Sequence, residues 1–235
     1  MNIHADPVRQ EHSGNILNRI AVYRESVRGF QRNSATGVLL AMLITAALSP
    51  QLMAQLGRVP VPPVPANLKV PPGHFAYLKT SALGTQNYVC LPSATGPTWT
   101  FLGPQATLFF TFPWFGGEAR QQVATHYLGA NPAEGGSARP AWQNSADSSI
   151  VWGKAIANSS DPLFVAPASI PWLLVEIVGK QSGPMGGTAF SGTTYIHRLK
   201  TAGGIKPDTG CEESSIGAVA LVPYSTEYYF YKRSH

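Results

Sequence analysis

Residues 98 to 112 read TWTFLGPQATLFFTF. Two runs in it, Thr98 to Leu102 and Ala106 to Phe112, are built from β-branched and aromatic side chains and are split by Gly103-Pro104, a pair that punctuates chains at turns. That is how two short strands and a turn are written. The same pattern recurs in Phe75 to Leu78, Thr85 to Leu91, Ile150 to Ala157, Trp172 to Val178, Thr193 to Leu199, Ala218 to Val222 and Tyr228 to Lys232, each bounded by Gly, Pro, Ser or Asn. Gly 23 and Pro 20 in 235 residues exclude a helical bundle or coiled coil. One helical stretch is conceivable, Gly117 to Tyr127, where Ala119, Val123, Ala124 and Tyr127 fall loosely on one face, and a strand pair fits it equally. The expectation is an all-β chain: a single sandwich-like or barrel-like domain, mostly antiparallel, with few short helices.

The composition agrees with one packed domain. Hydrophobic residues make up 44% and charged residues only 12%, too little charge for a disordered, solvated chain. The formal net charge is +5. Five basic and three acidic residues precede residue 55, so the remainder carries +3, spread thinly. A nucleic-acid partner is not expected from so small an excess.

Residues 38 to 48, Val-Leu-Leu-Ala-Met-Leu-Ile-Thr-Ala-Ala-Leu, form an uncharged apolar run after Arg19, Arg24, Arg28 and Arg32 and before Ser49-Pro50. A helix needs about 20 apolar residues to span a bilayer. This run is too short for that and has the make-up of a secretory signal, residues 1–54, with a cut after Ala54. Its charged region is long, and a start at Val27 would give it ordinary proportions. The expectation is export to a periplasm or the exterior, with no stable membrane span after cleavage. Residues 55–73 follow as a Pro-rich extended arm, then a β domain over 74–235. In an oxidising compartment the chain's two cysteines, Cys90 and Cys211, are expected to pair, closing a loop of 121 residues.

Six strings recur in order through the second two thirds of the chain: GTQNYVC (84–90), HYLG (126–129), PAWQNSADSSIVWGK (140–154), IPWLLVEI (170–177), TYIHRLKTAGGIKPDTGC (194–211) and VPYSTEYYFYK (222–232). Together they resemble the domain of unknown function 3455 family of secreted bacterial and fungal proteins. The resemblance runs from about residue 70 to 232 and includes both cysteines, which supports their pairing. It implies no activity. Some fungal members carry a malate dehydrogenase label, yet no G-x-G-x-x-G stands between a strand and a helix here, and GPMGG (183–187) is turn material. His197 stands where the family pattern suggests Gln, and Ala130 to Arg139 reads as an insertion.

Candidate chemistry is sparse. No serine stands in a G-x-S-x-G turn. His74, His126 and His197 show no metal-ligand spacing with one another or with Asp147 or Glu227, so no metal or cofactor is expected. His197 and Arg198 adjoin on a strand and point to opposite faces, so at most one can enter any single pocket. Asp147-Ser148-Ser149 reads as a side-chain-bonded turn into the Ile150 strand. The strongest signal is aromatic. Core packing claims most of these rings, and Tyr224 to Tyr231 reads as a closing strand with alternate rings toward core and solvent. Gly129 to Ser149 reads as a surface loop on which Trp142, beside Gln143, Asn144 and Asp147, is offered to a ligand. With His126, Tyr127 and His197 these form the candidate ligand-binding set. The expected role is a non-enzymatic binding or structural module for a carbohydrate or small apolar-faced molecule. The alternative is an extracytoplasmic hydrolase or metal-dependent enzyme using His126, Asp147 or His197.

Overall fold

The computed structural model describes residues 57–234. The expected signal segment over 1–54 and its cleavage point lie outside the described residues. Eight strands follow one another: β1 (His74–Leu91), β2 (Thr98–Trp114), β3 (Gly117–Asn131), β4 (Ser137–Asn144), β5 (Ile150–Ser159), β6 (Trp172–Gln181), β7 (Tyr195–Gly203) and β8 (Val219–Arg233). Each pairs antiparallel with the next, and β8 pairs back to β1 from His74↔Arg233 to Val89↔Val219. The sheet is therefore a closed barrel with no free edge, the barrel-like form of the expected all-β architecture. Helix among the described residues is confined to single 3₁₀ turns at Ala66–Leu68, Pro132–Glu134 and Glu213–Ser215. No helix there is long and apolar enough to cross a membrane.

Several short runs prove to be halves of long strands. Gly103-Pro104 does not turn the chain. Asn87 pairs with Gly103 and Tyr88 with Phe101, so Leu102 is the extra residue of a bulge and β2 continues past it. A bulge is where a strand tolerates a proline without an N–H to give. Gly84, read as punctuation, lies inside β1, where a Cβ would collide with the backbone of Ala106 on β2. Gly117 to Tyr127 is strand, not helix. Gly129 to Ser149 is also corrected: it holds the end of β3 and all of β4, paired from Ala124↔Asn144 to Asn131↔Ser137. Its Gly, Pro and Asn residues have little strand preference of their own and read as loop, and pairing of β3 with β4 overrides that preference. The stretch Ala130 to Arg139 holds the β3–β4 turn, pinned by Arg139 donating from Nε and Nη2 to Glu134.

Inward-facing side chains fill one end of the barrel. Leu108, Ala124, Val151, Val175, Ile196 and Phe230 meet there, and Phe190 from the β6–β7 connection stacks on Phe230 at 5.0 Å and plugs the bottom. Alternation along β8 sends Tyr228 and Phe230 inward and Tyr229 and Tyr231 outward. The outer pair was expected to face solvent. Both are buried instead, because the Pro-rich arm lies over them. Val59, Val61, Val64, Leu68 and Val70 of the arm pack with Val165, Trp172, Leu174, Leu199, Tyr229 and Tyr231 in a second apolar cluster on the outside of the barrel. The arm is extended, as its prolines dictate, and Val59 donates its N–H to Ala76 at 2.8 Å.

Leu68 is fully buried in this cover. Leu68→Ala is expected to cost about 2–3 kcal/mol, the range of a buried leucine truncation at a site that relaxes partly. Urea denaturation checks it. A loss under about 0.5 kcal/mol would show the arm to be a loose tail rather than part of the core.

Cys90 and Cys211 are bonded, with Cα atoms 5.4 Å apart, as expected. The bond ties the long β7–β8 connection to the end of β1. Such a pair fits an oxidising, extracytoplasmic environment.

Candidate functional site

The other end of the barrel is hollow. Every strand lines a cavity of about 340 Å³ on the side of the β1–β2, β3–β4, β5–β6 and β7–β8 connections. Gln86 and Tyr88 enter it from β1, Phe101 and Pro104 from β2, and His126 from β3. Pro140 and Trp142 come from β4, Ala155 from β5, Leu173 and Val175 from β6, Arg198 from β7 and Tyr228 from β8. Ile170 and Pro171, just before β6, complete the wall. Phe101 and Ala155 are exposed and mark the mouth. Gly153 shapes the wall from β5: a Cβ there would run into Val175 and reach 3.0 Å from the Trp142 ring.

The wall is apolar with a few polar groups. His126 stacks on Trp142, ring centroids 4.2 Å apart and planes 14° from parallel, and meets Tyr228 edge-on at 5.3 Å. Its Nδ1 lies 2.9 Å from the Ala141 carbonyl, an acceptor, so Nδ1 carries the proton. Burial pushes this imidazole down to about 3, the Ala141 carbonyl opposing and the Arg198 charge adding to the fall. It is neutral at physiological pH, and Nε2 is its acceptor nitrogen. Burial is also the chief reason the Tyr228 hydroxyl sits well above its ordinary value. Gln86 Nε2, Trp142 Nε1 and Arg198 Nε are buried without hydrogen-bond partners.

The expected site residues divide. His126 and Trp142 meet in the cavity, but Trp142 is 1% exposed and on the inner face of β4, not on a loop. Tyr127 follows His126 on the strand, so it points outward and packs on Ala141, Ile150 and Trp152. Asn144 and Asp147 build the β4–β5 turn at the plugged end. Asn144 Oδ1 accepts from Ala146 and Asp147, and Asp147 accepts from the Ser149 amide and hydroxyl, the turn read from sequence. The second Asp147 oxygen accepts from Ala189 at 2.8 Å, and these bonds hold its carboxyl below the usual range. His197 faces outward under the arm. Its Nδ1 is 2.8 Å from the Tyr231 hydroxyl and its Nε2 is 2.6 Å from the Leu68 carbonyl. His126, Asp147 and His197 thus occupy three separate places. Among the described residues no group of three His, Cys, Asp or Glu could hold a metal ion.

The family described as "Protein of unknown function (DUF3455)" matches residues 71–232. The chain belongs to the DUF3455 family. Neither the curated proteins nor the solved structures contain a match to it. The matched stretch holds all but the last residue of the DUF3455 barrel, both cysteines and every residue around the cavity.

Arg198, Gln86, Tyr88 and Tyr228 were not in the ligand-binding set expected from the DUF3455 sequence. A signal was present for the first. Arg198 shares its face of β7 with Ile196, which is fully buried inside the barrel, and a charge in register with core residues marks a charge turned inward.

Proposed function

We propose that the domain is an exported binding module that takes one small, largely apolar molecule into the open end of its barrel. An eight-stranded barrel is wide enough either to fill with side chains or to hold one small ligand. This one does the first at the Phe190 end and leaves room at the other. The observation that carries the reading is the set of buried polar atoms without partners, Gln86 Nε2, Trp142 Nε1 and Arg198 Nε, around an otherwise apolar cavity. Native proteins rarely leave such groups unsatisfied, and each costs about 1–3 kcal/mol unless something reaches it. Ligand pockets have this make-up: apolar walls and a few placed polar groups. The scarcity of polar lining favours an apolar-bodied ligand over a sugar. The enzyme alternative gains nothing from His126, Asp147 and His197 lying apart. Export is supported by the Arg-flanked apolar run before residue 50 and by the disulfide.

The neutral fluorescent probe N-phenyl-1-naphthylamine tests the reading. Its emission should rise and saturate on titration with the protein, and Ala155→Trp, which places a large ring at the exposed mouth, should weaken binding about tenfold or more. The unfolding midpoint should stay put, since Ala155 supports nothing inside. Emission that does not saturate, or that ignores the added ring, would rule the cavity out as the site.

A further inference from the structure

What the cavity lacks is an anionic acceptor. Its orphaned polar atoms, Gln86 Nε2, Trp142 Nε1 and Arg198 Nε, are all N–H donors. Arg198 donates from Nη2 to the Pro171 carbonyl at 2.9 Å and lies within reach of the neutral Tyr228 hydroxyl. The hydroxyls nearby are mostly engaged: Tyr88 donates to the Gly204 carbonyl at 2.7 Å, and those of Tyr224 and Tyr228 lie 3.4 Å apart. No aspartate or glutamate lines the space. The ion pairs among the described residues, Lys79 and Lys200 to Glu227 and Arg139 to Glu134, lie elsewhere.

A guanidinium is therefore held in an apolar wall with no counter-charge. Burial pushes it below its ordinary value, opposed by the nearby Tyr228, Tyr224 and Tyr88 hydroxyls, but guanidinium stays charged in proteins. Arg198 is half-buried with its Nε fully covered, and a charge so placed without a counter-charge is costly to keep. The neighbouring His126 is neutral and adds no second cation. One positive charge matches one negative charge; a phosphate dianion would leave half its charge unbalanced. The planar fork of Arg suits the two oxygens of a carboxylate.

Resting on the binding reading above, we propose that Arg198 receives the carboxylate of an apolar-bodied monocarboxylic acid, with Gln86 and Trp142 as further donors around the same cavity. The acid's body then lies along Phe101, Leu173 and Val175.

Displacement of the bound naphthylamine probe separates the two levels of this claim. Decanoate and its neutral isostere decanamide are compared on the disulfide-intact protein at pH 7. Decanoate should displace the probe at about tenfold lower concentration or less, the worth of a charge-assisted hydrogen bond. In Arg198→Met that preference should vanish while decanamide is unaffected, and Arg198→Lys should restore part of it. If the probe binds but the two compounds compete equally on the wild-type protein, the carboxylate assignment is overturned and the cavity reading stands. If the probe does not bind, both fall. The wild-type comparison decides the matter even should the methionine variant fail to fold.

Discussion

Reduction of Cys90–Cys211 is expected to lower the free energy of unfolding by about 4 to 5 kcal/mol. The bond spans 121 residues, so it encloses most of the barrel, and the chain-entropy cost it removes from the unfolded state grows with that length. The folded state should change little when it opens. Cys90 is held there independently, its N–H donating to Ala218 at 2.9 Å and its carbonyl accepting from Gly217 at 2.9 Å. Trp99 Nε1 donates to the Thr209 carbonyl at 2.8 Å, two residues from Cys211, and holds the same connection down. A domain has only about 5–15 kcal/mol in total, so the loss is a large share. Urea denaturation with and without reductant, and on a Cys90→Ala, Cys211→Ala double variant, measures it. A domain of this size should melt roughly 10–15 °C lower. A shift equivalent to less than about 1 kcal/mol would mean that the unfolded chain is already compact enough to gain nothing from the bond.

The disulfide was legible because it depends on compartment and count, not on geometry. The strands were legible as β for a local reason: β-branched and aromatic runs such as Thr98 to Leu102 keep their preference wherever they end up. Their joining was not. Gly84, Gly103-Pro104 and Pro223 are breakers in isolation, and only pairing across the sheet turns Gly84 into a close contact with Ala106 and Gly103-Pro104 into a bulge. β4 was hidden for the same reason, since Pro140, Gln143 and Asn144 acquire strand character only by pairing, all three with β3 and Gln143 also with β5. The site was half visible. His126 and Trp142 were named, Trp142 as offered from a loop, when closure of the barrel turns both inward. His197 is the opposite case. Its alternation against Arg198 was read correctly, yet nothing local says which face is inside, and the arm that buries His197 comes from more than a hundred residues away.

Lowering the pH from 7 to 5 should cost the folded state about 2 kcal/mol through His126 alone. The unfolded imidazole takes up a proton as pH falls through about 6.5, whereas the folded one, buried against Trp142 and near Arg198, does so only at about 3. Between those values the unfolded chain binds more protons. Stability is therefore complete above about 6.5 and drains on acidification at up to about 1.4 kcal/mol per pH unit, exceeding 3 kcal/mol by pH 4. His197 works in the same direction, burial lowering it and the Leu68 carbonyl partly opposing. The carboxyls of Asp147, Glu134 and Glu227 are all held low, so what they contribute is lost only as pH falls through the ordinary carboxyl range and below. The window from 6.5 to 5 thus belongs to the imidazoles. Protonated His126 would lie over the Trp142 ring, a cation–π contact worth about 2 kcal/mol when desolvated. Its burial and the Arg198 charge outweigh that gain. Urea midpoints at pH 7, 6 and 5 on the wild type and on His126→Phe should show a slope that the variant loses in large part, keeping the share due to His197. A flat wild-type profile over this range would mean that water or a ligand proton partner reaches Nε2, and that the open end of the barrel is wetter than its walls suggest.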